Sequence, residues 1–330
     1  MPAALIPSEG RFALFALSGV DCEITFPSLL DLGDGFLAAR ELPIRIDNWR
    51  EGIGTYTVRQ LNDSPVYLMH VAEGKSERAI YRDLWFLYLG LLIAVQFARH
   101  KYQLLLFRGS GEKDAWWANT YTSFPRVYYT IGSPDAFVRE SHLRTAKQLA
   151  MAMRTIDQNK LCERFHRIVR TFREASYSGE VAQRLHQFVR TAEGFLDTVG
   201  SGRFAYRAQM LTEGNFSSVF KEMYQARSSV EHLRGPYARL SGNDDKEKHR
   251  TLIERAIQAE AFARFCLVNF LSRQELWPHF KDDTTISNFW NLPHADRMKL
   301  WMNQIPLTES TKGIDERLKR NEREKGDSDE

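Results

Sequence analysis

Three stripes of apolar residues at helical spacing run through the second half of the chain and constrain its fold most strongly. They span residues 161–172, 181–189 and 252–270. Residues three or four positions apart share one face of a helix, so each stripe predicts an amphipathic helix that must bury that face. Together with a fourth helix that ends near residue 232, they predict a bundle of four or slightly more helices.

The fourth helix has a charged residue where an apolar one is expected. Its apolar face is formed by Phe216, Val219, Phe220, Met223 and Tyr224. Continuing the same phase places Arg227 on that face. Burying a guanidinium is costly unless carboxylates, carbonyls or a partner satisfy its donors. An ion pair with Glu231, one turn later, or a site for an anion would each explain Arg227.

The residues around Arg227 resemble a known family. Arg227, Ser228 and His232 are similar to the Arg-x4-6-His signature of the HEPN superfamily, all-α domains that include metal-independent endoribonucleases. The resemblance is to the Apea-like branch and extends upstream. Residues 192–196, Ala-Glu-Gly-Phe-Leu, are similar to its Leu-Glu-Ala-Leu segment, and residues 203–208 to its Phe-x-x-Arg-Ala segment.

The resemblance covers roughly residues 160–280 and departs from the branch at one point. The branch usually has glycine directly after the histidine, whereas Leu233 and Arg234 precede Gly235 here. The backbone after His232 is therefore expected to turn differently. A second pair, Arg273 and His279, also fits the loose spacing, but the flanking segments favour Arg227 and His232.

The resemblance implies an activity and a role for each residue of the motif. His232 would accept the proton of a ribose 2′-hydroxyl, Arg227 would stabilise the charge on the attacked phosphate, and Ser228 would add a hydrogen bond. The family implies RNA as the partner, a homodimer through the helical domain, no cofactor, and a role in defence or a toxin-like stress response. The alternative is a non-catalytic helical interaction or RNA-binding module whose N-terminal domain senses a ligand or partner.

A basic helix face supplies a further candidate for RNA binding. Residues 139–190 contain 11 Lys or Arg and 5 Asp or Glu, a local excess of +6. The candidate RNA-binding residues are Arg164, Arg167, Arg170, Arg173 and Arg234. The first four recur every third residue opposite an apolar stripe. They form either a solvated face or a track for phosphates, in which each contact would make binding depend on salt.

Composition limits the class of protein. The formal net charge of +3 over 330 residues does not by itself indicate nucleic acid. The 3 cysteines are too few and too far apart for a disulfide framework, which favours a cytoplasmic location. The N-terminus has no signal-peptide pattern, and the longest apolar run, residues 84–95, is short for a membrane span. No motif with metal-ligand spacing is present, so no metal site is expected.

The first part of the chain predicts a small antiparallel sheet. Short segments that alternate in hydrophobicity and are separated by turn residues predict strands at 12–17, 23–26, 42–46, 54–61, 66–71, 102–107 and 126–131. Ser76 is a candidate N-cap for a helix that includes the apolar run 84–97. Residues 108–120 are expected to form a glycine-bearing loop. Ser133 and Pro134 predict the start of the next helix, to about residue 157.

These patterns predict an α+β chain in three parts. Residues 1–133 form a β-rich N-terminal α/β domain with one buried helix, residues 134–306 an all-α HEPN-like bundle, and residues 307–330 a disordered charged tail. The last long helix of the bundle is expected at 246–276. The tail contains 6 basic and 8 acidic residues from position 309 onward and too few apolar ones to order itself. Its removal is therefore expected to leave the melting temperature nearly unchanged.

Overall fold

The computed structural model describes residues 10–17, 23–44, 50–96, 104–112, 115–125, 127–128, 130–134, 137–198, 200–235, 237 and 240–326. The chain is an α+β protein, as predicted, with an N-terminal antiparallel sheet and helices followed by an all-helical region. Contacts group it into two units. The first unit comprises Met1–Tyr128 with Ala136–Arg154, and the second comprises Tyr129–Asp135 with Thr155–Glu330.

The first unit is built on a six-stranded antiparallel sheet with the order β3-β4-β5-β1-β6-β7. Its strands are β1 (Gly10–Ala16), β3 (Leu29–Gly33), β4 (Phe36–Ala39), β5 (Tyr67–Ala72), β6 (Leu104–Glu112) and β7 (Ala115–Phe124). The short strands β2 (Glu23–Thr25) and β8 (Phe137–Arg139) form a separate parallel pair. Central strand β1 is almost wholly buried, which is typical of a strand covered on both faces.

Helices α1 (Arg50–Asn62), α2 (Glu77–Ala94) and α3 (Glu140–Asn159) complete the unit. On one face of the sheet, Leu61 of α1 packs into the core that Tyr67 and Met69 help to form. On the other face, Phe15 contacts Trp85 and Tyr88 of α2, with ring centroids 5.7 and 5.1 Å apart. Alternate residues of each strand therefore enter different cores.

Helix α2 begins as predicted. The Ser76 hydroxyl accepts a hydrogen bond from the Ala79 amide at 3.3 Å, which is the N-cap arrangement. Its described end is Ala94, and Phe97 lies outside the described residues.

Three strand predictions for this unit were wrong. Residues 54–61 form part of α1, a helix kinked at Gly54, because burial of Leu61 outweighs the strand pattern of the sequence. The second strand of the hairpin is Ala115–Phe124, which begins inside the stretch predicted as a loop, and the described residues of 126–131 are not in a strand. Residues 42–44 are not in a strand, whereas 45 and 46 lie outside the described residues.

Helix α3 starts at Glu140, later than the predicted start after Ser133. Most of it belongs to the first unit and not to the helical part. Gly90 of α2 lies so close to it that an added Cβ would stand 2.3 Å from the Ala146 carbonyl oxygen. Arg154 of α3 pairs with the buried Asp83 of α2 at 3.4 Å. The small residue and the ion pair together hold α2 against α3.

The second unit is helical and contains α4 to α12 among its described residues. Their bounds are α4 (Phe165–Tyr177), α5 (Val181–Leu196), α6 (Ser201–Met210), α7 (Ser217–Glu231), α8 (Asp245–Ser272), α9 (Asp283–Asn291), α10 (His294–Trp301), α11 (Leu307–Thr311) and α12 (Ile314–Gly326). A 3₁₀ segment, Gln274–Phe280, follows α8. Apart from Leu161, which precedes α4, the predicted apolar stripes lie on α4, α5 and α8, and most of their residues are buried.

A buried charge network joins three helices of this unit. Arg184 of α5 donates to the Glu260 carboxylate of α8 at 2.9 Å, and Arg264 of α8 donates to the same carboxylate at 2.7 Å. The Arg184 guanidinium also donates to the Thr130 hydroxyl at 3.0 Å and to the Ala175 carbonyl of α4 at 3.1 Å. This network could not be predicted from the sequence, because it depends on which helices become neighbours.

The predicted disordered tail is helical as far as Gly326, which corrects that prediction. Leu307 and Ile314 are buried, and Ile314 and Leu318 pack with Ile253 and Ile257 of α8. Two apolar residues one turn apart, Ile314 and Leu318, are thus enough to order the charged helix α12 when a complementary apolar face is already present.

Removing residues 314–330 is therefore expected to destabilise the second unit. The truncation exposes Ile253 and Ile257 and should cost about 2–3 kcal/mol, or roughly 5–10 °C in melting temperature. Thermal unfolding of the truncated chain measures this, with Ile314→Ala as a milder version and the exposed Lys319→Ala as the control. An unchanged melting temperature after truncation would mean that α12 contributes no stability.

Within the described part of the chain, no helix is both long and apolar enough to span a membrane.

Candidate functional site

Arg227 lies in the last two turns of α7 and is enclosed by carboxylates. Its guanidinium pairs with Glu193 of α5 at 3.0 Å and with Glu231, one turn later on α7. It also lies over the ring of Tyr224, 5.4 Å from the centroid, and only 14% of the side chain is exposed. The predicted pair with Glu231 therefore forms, and Glu193 is a second partner that the sequence did not indicate.

Two carboxylates, Glu193 and Glu231, surround the Arg227 guanidinium, and burial affects the pKa of the first of them. Burial raises the pKa of Glu193, although Arg227 opposes the shift. Nε of Arg227 is buried and has no hydrogen-bond partner among the described residues. Arg190 of α5 is exposed and close enough to lower the pKa of Glu193 slightly. Glu193 and Glu231 therefore hold the Arg227 guanidinium from two sides, and Arg190 is a second cation nearby.

His186 of α5 is a further polar residue that contacts this turn of α7. Its Nδ1 lies 3.2 Å from the Arg227 carbonyl oxygen. Because a carbonyl oxygen only accepts, Nδ1 is the protonated nitrogen in this contact. Burial lowers the pKa of His186, so the ring is neutral near pH 7. The sequence did not indicate this contact, because it depends on the packing of α5 against α7.

His232 is the C-cap residue of α7, and its side chain is exposed. Its amide donates to the Ser228 carbonyl at 3.1 Å, so Ser228 and His232 lie one turn apart on the same line of the helix. Arg227 lies on the neighbouring line with Glu231. Among the described residues no hydrogen bond joins the Arg227 and His232 side chains. The structure thus places Ser228 beside His232 and turns Arg227 towards α5.

The backbone after His232 forms a regular helix end without glycine. The Arg234 amide donates to the Ser229 carbonyl at 2.8 Å, and the Leu233 amide donates to the Val230 carbonyl at 3.1 Å. This pair of bonds defines a Schellman motif, in which the residue at the position of Leu233 is usually glycine. Leu233 adopts a φ of 54° there, and 97% of its side chain is exposed. A leucine therefore replaces glycine at a left-handed position.

Leu233→Gly is expected to stabilise the helical unit by about 1 kcal/mol. The left-handed conformation is strained for leucine and not for glycine, and the exposed side chain loses no packing. Urea unfolding measures the change. Arg234→Gly is the matched control, because Arg234 does not have a positive φ and should gain nothing. A Leu233→Gly variant less stable than the parent would contradict this account of the turn.

The candidate RNA-binding arginines on α4 and at its N-cap are not equivalent. Arg164 is engaged by Asp283 at 2.6 Å and Asp197 at 3.4 Å. Arg170 is exposed and pairs with Glu174 at 2.8 Å. Arg167 is exposed, whereas Arg173 is half-buried. The basic band predicted from the sequence is therefore not continuous, because its first member, Arg164, is paired with carboxylates. Arg234, the fifth candidate, is exposed beside His232.

The two upstream segments quoted for the family resemblance both supply polar contacts. Glu193, in the first segment, is the residue that reaches Arg227. Arg207, in the second, donates to the Leu196 and Asp197 carbonyls at 2.5 Å each and so satisfies the C-terminus of α5. Each segment therefore supplies a contact between α5 and a neighbouring helix, which is α7 for Glu193 and α6 for Arg207.

Comparison with known proteins does not assign a family. No protein-family model, curated protein or solved structure matches the chain. Among the described residues, no group of three or more His, Cys, Asp or Glu side chains is arranged to hold a metal ion.

Proposed function

We propose that this chain is a metal-independent endoribonuclease whose reacting groups lie in the last turns of α7. The observation that supports the proposal most is the accessible imidazole of His232 at the end of a helix whose preceding turns contain Ser228 and the anchored cation Arg227. A nuclease of this kind needs a base that RNA can reach and a cation that can contact the phosphate. The structure has one residue of each type within six positions of the chain.

In the proposed reaction, His232 takes the proton of a ribose 2′-hydroxyl, and the 2′-oxygen bonds to the adjacent phosphorus. The bond from phosphorus to the 5′-oxygen breaks, and that oxygen leaves with a proton from water. The products are a 2′,3′-cyclic phosphate and a 5′-hydroxyl. Arg227 stabilises the extra negative charge on the phosphoryl oxygens, and Ser228 donates a hydrogen bond to them. Binding of a phosphate requires Arg227 to exchange at least one of its two carboxylate partners.

RNA and a second copy of the chain are the proposed partners. Arg190 and Arg234 are exposed near the Arg227 turn and supply positive charge for the backbone of the substrate. The exposed Leu233, held in a strained conformation beside His232, favours a protein contact at the same place. We therefore propose a homodimer through the helical unit in which the two copies of this turn face one cleft.

The proposal is tested by incubating the purified chain with labelled single-stranded RNA in the presence of EDTA. We expect cleavage that leaves cyclic phosphate ends, reduced by about 10²–10⁴-fold in His232→Ala. His294→Ala, which removes an exposed histidine elsewhere in the unit, is the matched control. Activity that needs a divalent metal, or that survives in His232→Ala, would refute the proposed chemistry. Sedimentation under the assay conditions tests the dimer, and an active monomer would exclude a shared cleft.

The second candidate function is a non-catalytic helical module that binds RNA or a protein. It is favoured by the pairing of Arg227 with both Glu193 and Glu231, which satisfies the guanidinium without any ligand. For this candidate the chain shows no cleavage in the EDTA assay. RNA binding measured by a gel shift would then separate an RNA-binding module from a protein-binding one.

A further inference from the structure

A cleft in the second unit is formed by the first turns of α8, by α12 and by Ile131. Its volume is about 570 Å³, which is within the range of sites for small organic ligands. No residue of the proposed nuclease site lines it. Its floor is apolar and its rim is charged, and each part constrains what the cleft can bind.

The floor consists of Ile131, Ile253 and Leu318. Ile253 is buried, and Leu318 packs against the small apolar cluster around it. Branched aliphatic side chains on three sides provide a dry surface for a flat ring or a short alkyl chain. An inorganic ion would leave this surface uncovered, so the floor favours an organic ligand.

The rim has more available positive than negative charge. Lys246, Arg250 and Lys319 lie on it, together with the carboxylates of Glu247 and Asp315. The Asp315 carboxylate accepts two hydrogen bonds from Arg250, at 2.8 and 3.1 Å. The Glu247 carboxylate accepts from the Asn243 amide at 2.7 Å. Both carboxylates are thus engaged.

The two rim lysines have no comparable partners. In the part of the chain that the structure describes, neither Lys246 nor Lys319 forms an ion pair, and Lys319 acts on the nearby Asp315 only at longer range, where it helps to lower the pKa of that carboxyl. The rim also holds Asn321 and His249, and Nδ1 of His249 forms a hydrogen bond of 3.1 Å with the Tyr237 hydroxyl. Two unpaired ammonium groups above an apolar floor suit a ligand with an anionic head and an apolar body.

We propose that this cleft binds a small organic phosphate, with the phosphate held by Lys246 and Lys319 and the apolar body on Ile131, Ile253 and Leu318. The volume accommodates a nucleoside monophosphate or an alkyl phosphate of similar size. The proposed binding site does not depend on the proposed nuclease activity, because no residue of the nuclease site lines the cleft.

The test is a calorimetric titration of the full chain at low ionic strength with four probes. Adenosine monophosphate and octyl phosphate contain both ligand parts, whereas inorganic phosphate and adenosine contain one each. We expect saturable binding of at least one organic phosphate, at least tenfold tighter than binding of inorganic phosphate or adenosine. Which of the two binds identifies the source of the ligand, a nucleotide or a lipid.

Matched variants assign the binding to this cleft. The double variant Lys246→Glu and Lys319→Glu is expected to weaken organic phosphate binding at least tenfold. The control, Lys299→Glu and Lys312→Glu, makes the same change of net charge at exposed lysines that do not line the cleft. Binding of neither organic phosphate, equal binding of inorganic phosphate, or an equal loss in the control variant would overturn the proposal.

Discussion

Glu260→Gln is expected to lower the free energy of unfolding of the helical unit by about 3–5 kcal/mol. The glutamine has the same shape but no charge, so the Arg184 and Arg264 guanidinium groups lose the carboxylate between them. Only 1% of the Arg184 side chain is exposed, and water therefore cannot replace the lost partner. Breaking a buried ion pair by removing one member costs far more than breaking an exposed one, since the remaining charge stays desolvated.

Chemical denaturation at pH 7 measures this loss, and Glu174→Gln is the matched control. Glu174 pairs with Arg170, whose side chain is 71% exposed, so the control should unfold at nearly the same denaturant concentration as the parent. A Glu260→Gln variant as stable as the control would show that the network does not stabilise the fold.

The same network sets a dependence of stability on pH. Burial alone would raise the pKa of Glu260, but Arg264 and Arg184 outweigh it, and the pKa lies below its ordinary value of 4.5. A carboxyl group with a depressed folded-state pKa contributes stability above its unfolded pKa and loses it as pH falls through the folded value. The parent chain should therefore lose stability more steeply than Glu260→Gln as the pH is lowered below about 4.5.

Local signals predicted the helices well where capping and apolar spacing agreed. Ser76 marked the start of α2, and the stripe that ends at Phe270 marked α8, because each pattern contains its own structural reason. The strand predicted at 54–61 was wrong because α1 is stabilised by the packing of its Leu61 on the sheet. That contact joins residues far apart in the sequence, so a local pattern does not show it. The prediction of a disordered tail was wrong for a related reason, since Ile314 and Leu318 are ordered by packing against α8.

The candidate site was predicted in part. The apolar phase of α7 identified Arg227 as a residue that needs a partner, and Glu231 was found because it lies one turn away on the same helix. Glu193 and His186 reach this turn from α5, so their roles depend on the pairing of two helices that the sequence does not specify. The sequence showed that a buried guanidinium needs a partner, but it did not identify Glu193 as the second carboxylate.

Arg227 is the residue at which the two proposed functions differ most. Replacing it alone is a poor test, because Arg227→Met would leave the half-buried Glu193 carboxylate without its cation and destabilise the turn. The double variant Arg227→Met and Glu193→Gln removes the cation and the carboxylate charge together and should remain folded. For a nuclease we expect RNA cleavage to fall by about 10²–10³-fold in the double variant, since the phosphoryl charge loses its partner.

Glu193→Gln alone is the control, because it keeps Arg227 and releases it from one of its two carboxylates. If a phosphate must displace a carboxylate from Arg227, this variant should cleave RNA at least as fast as the parent chain. Circular dichroism and sedimentation establish that both variants keep their fold and assembly. A double variant that is folded and fully active would exclude Arg227 from the reaction, whereas one that binds RNA without cleaving it would place Arg227 in the chemical step.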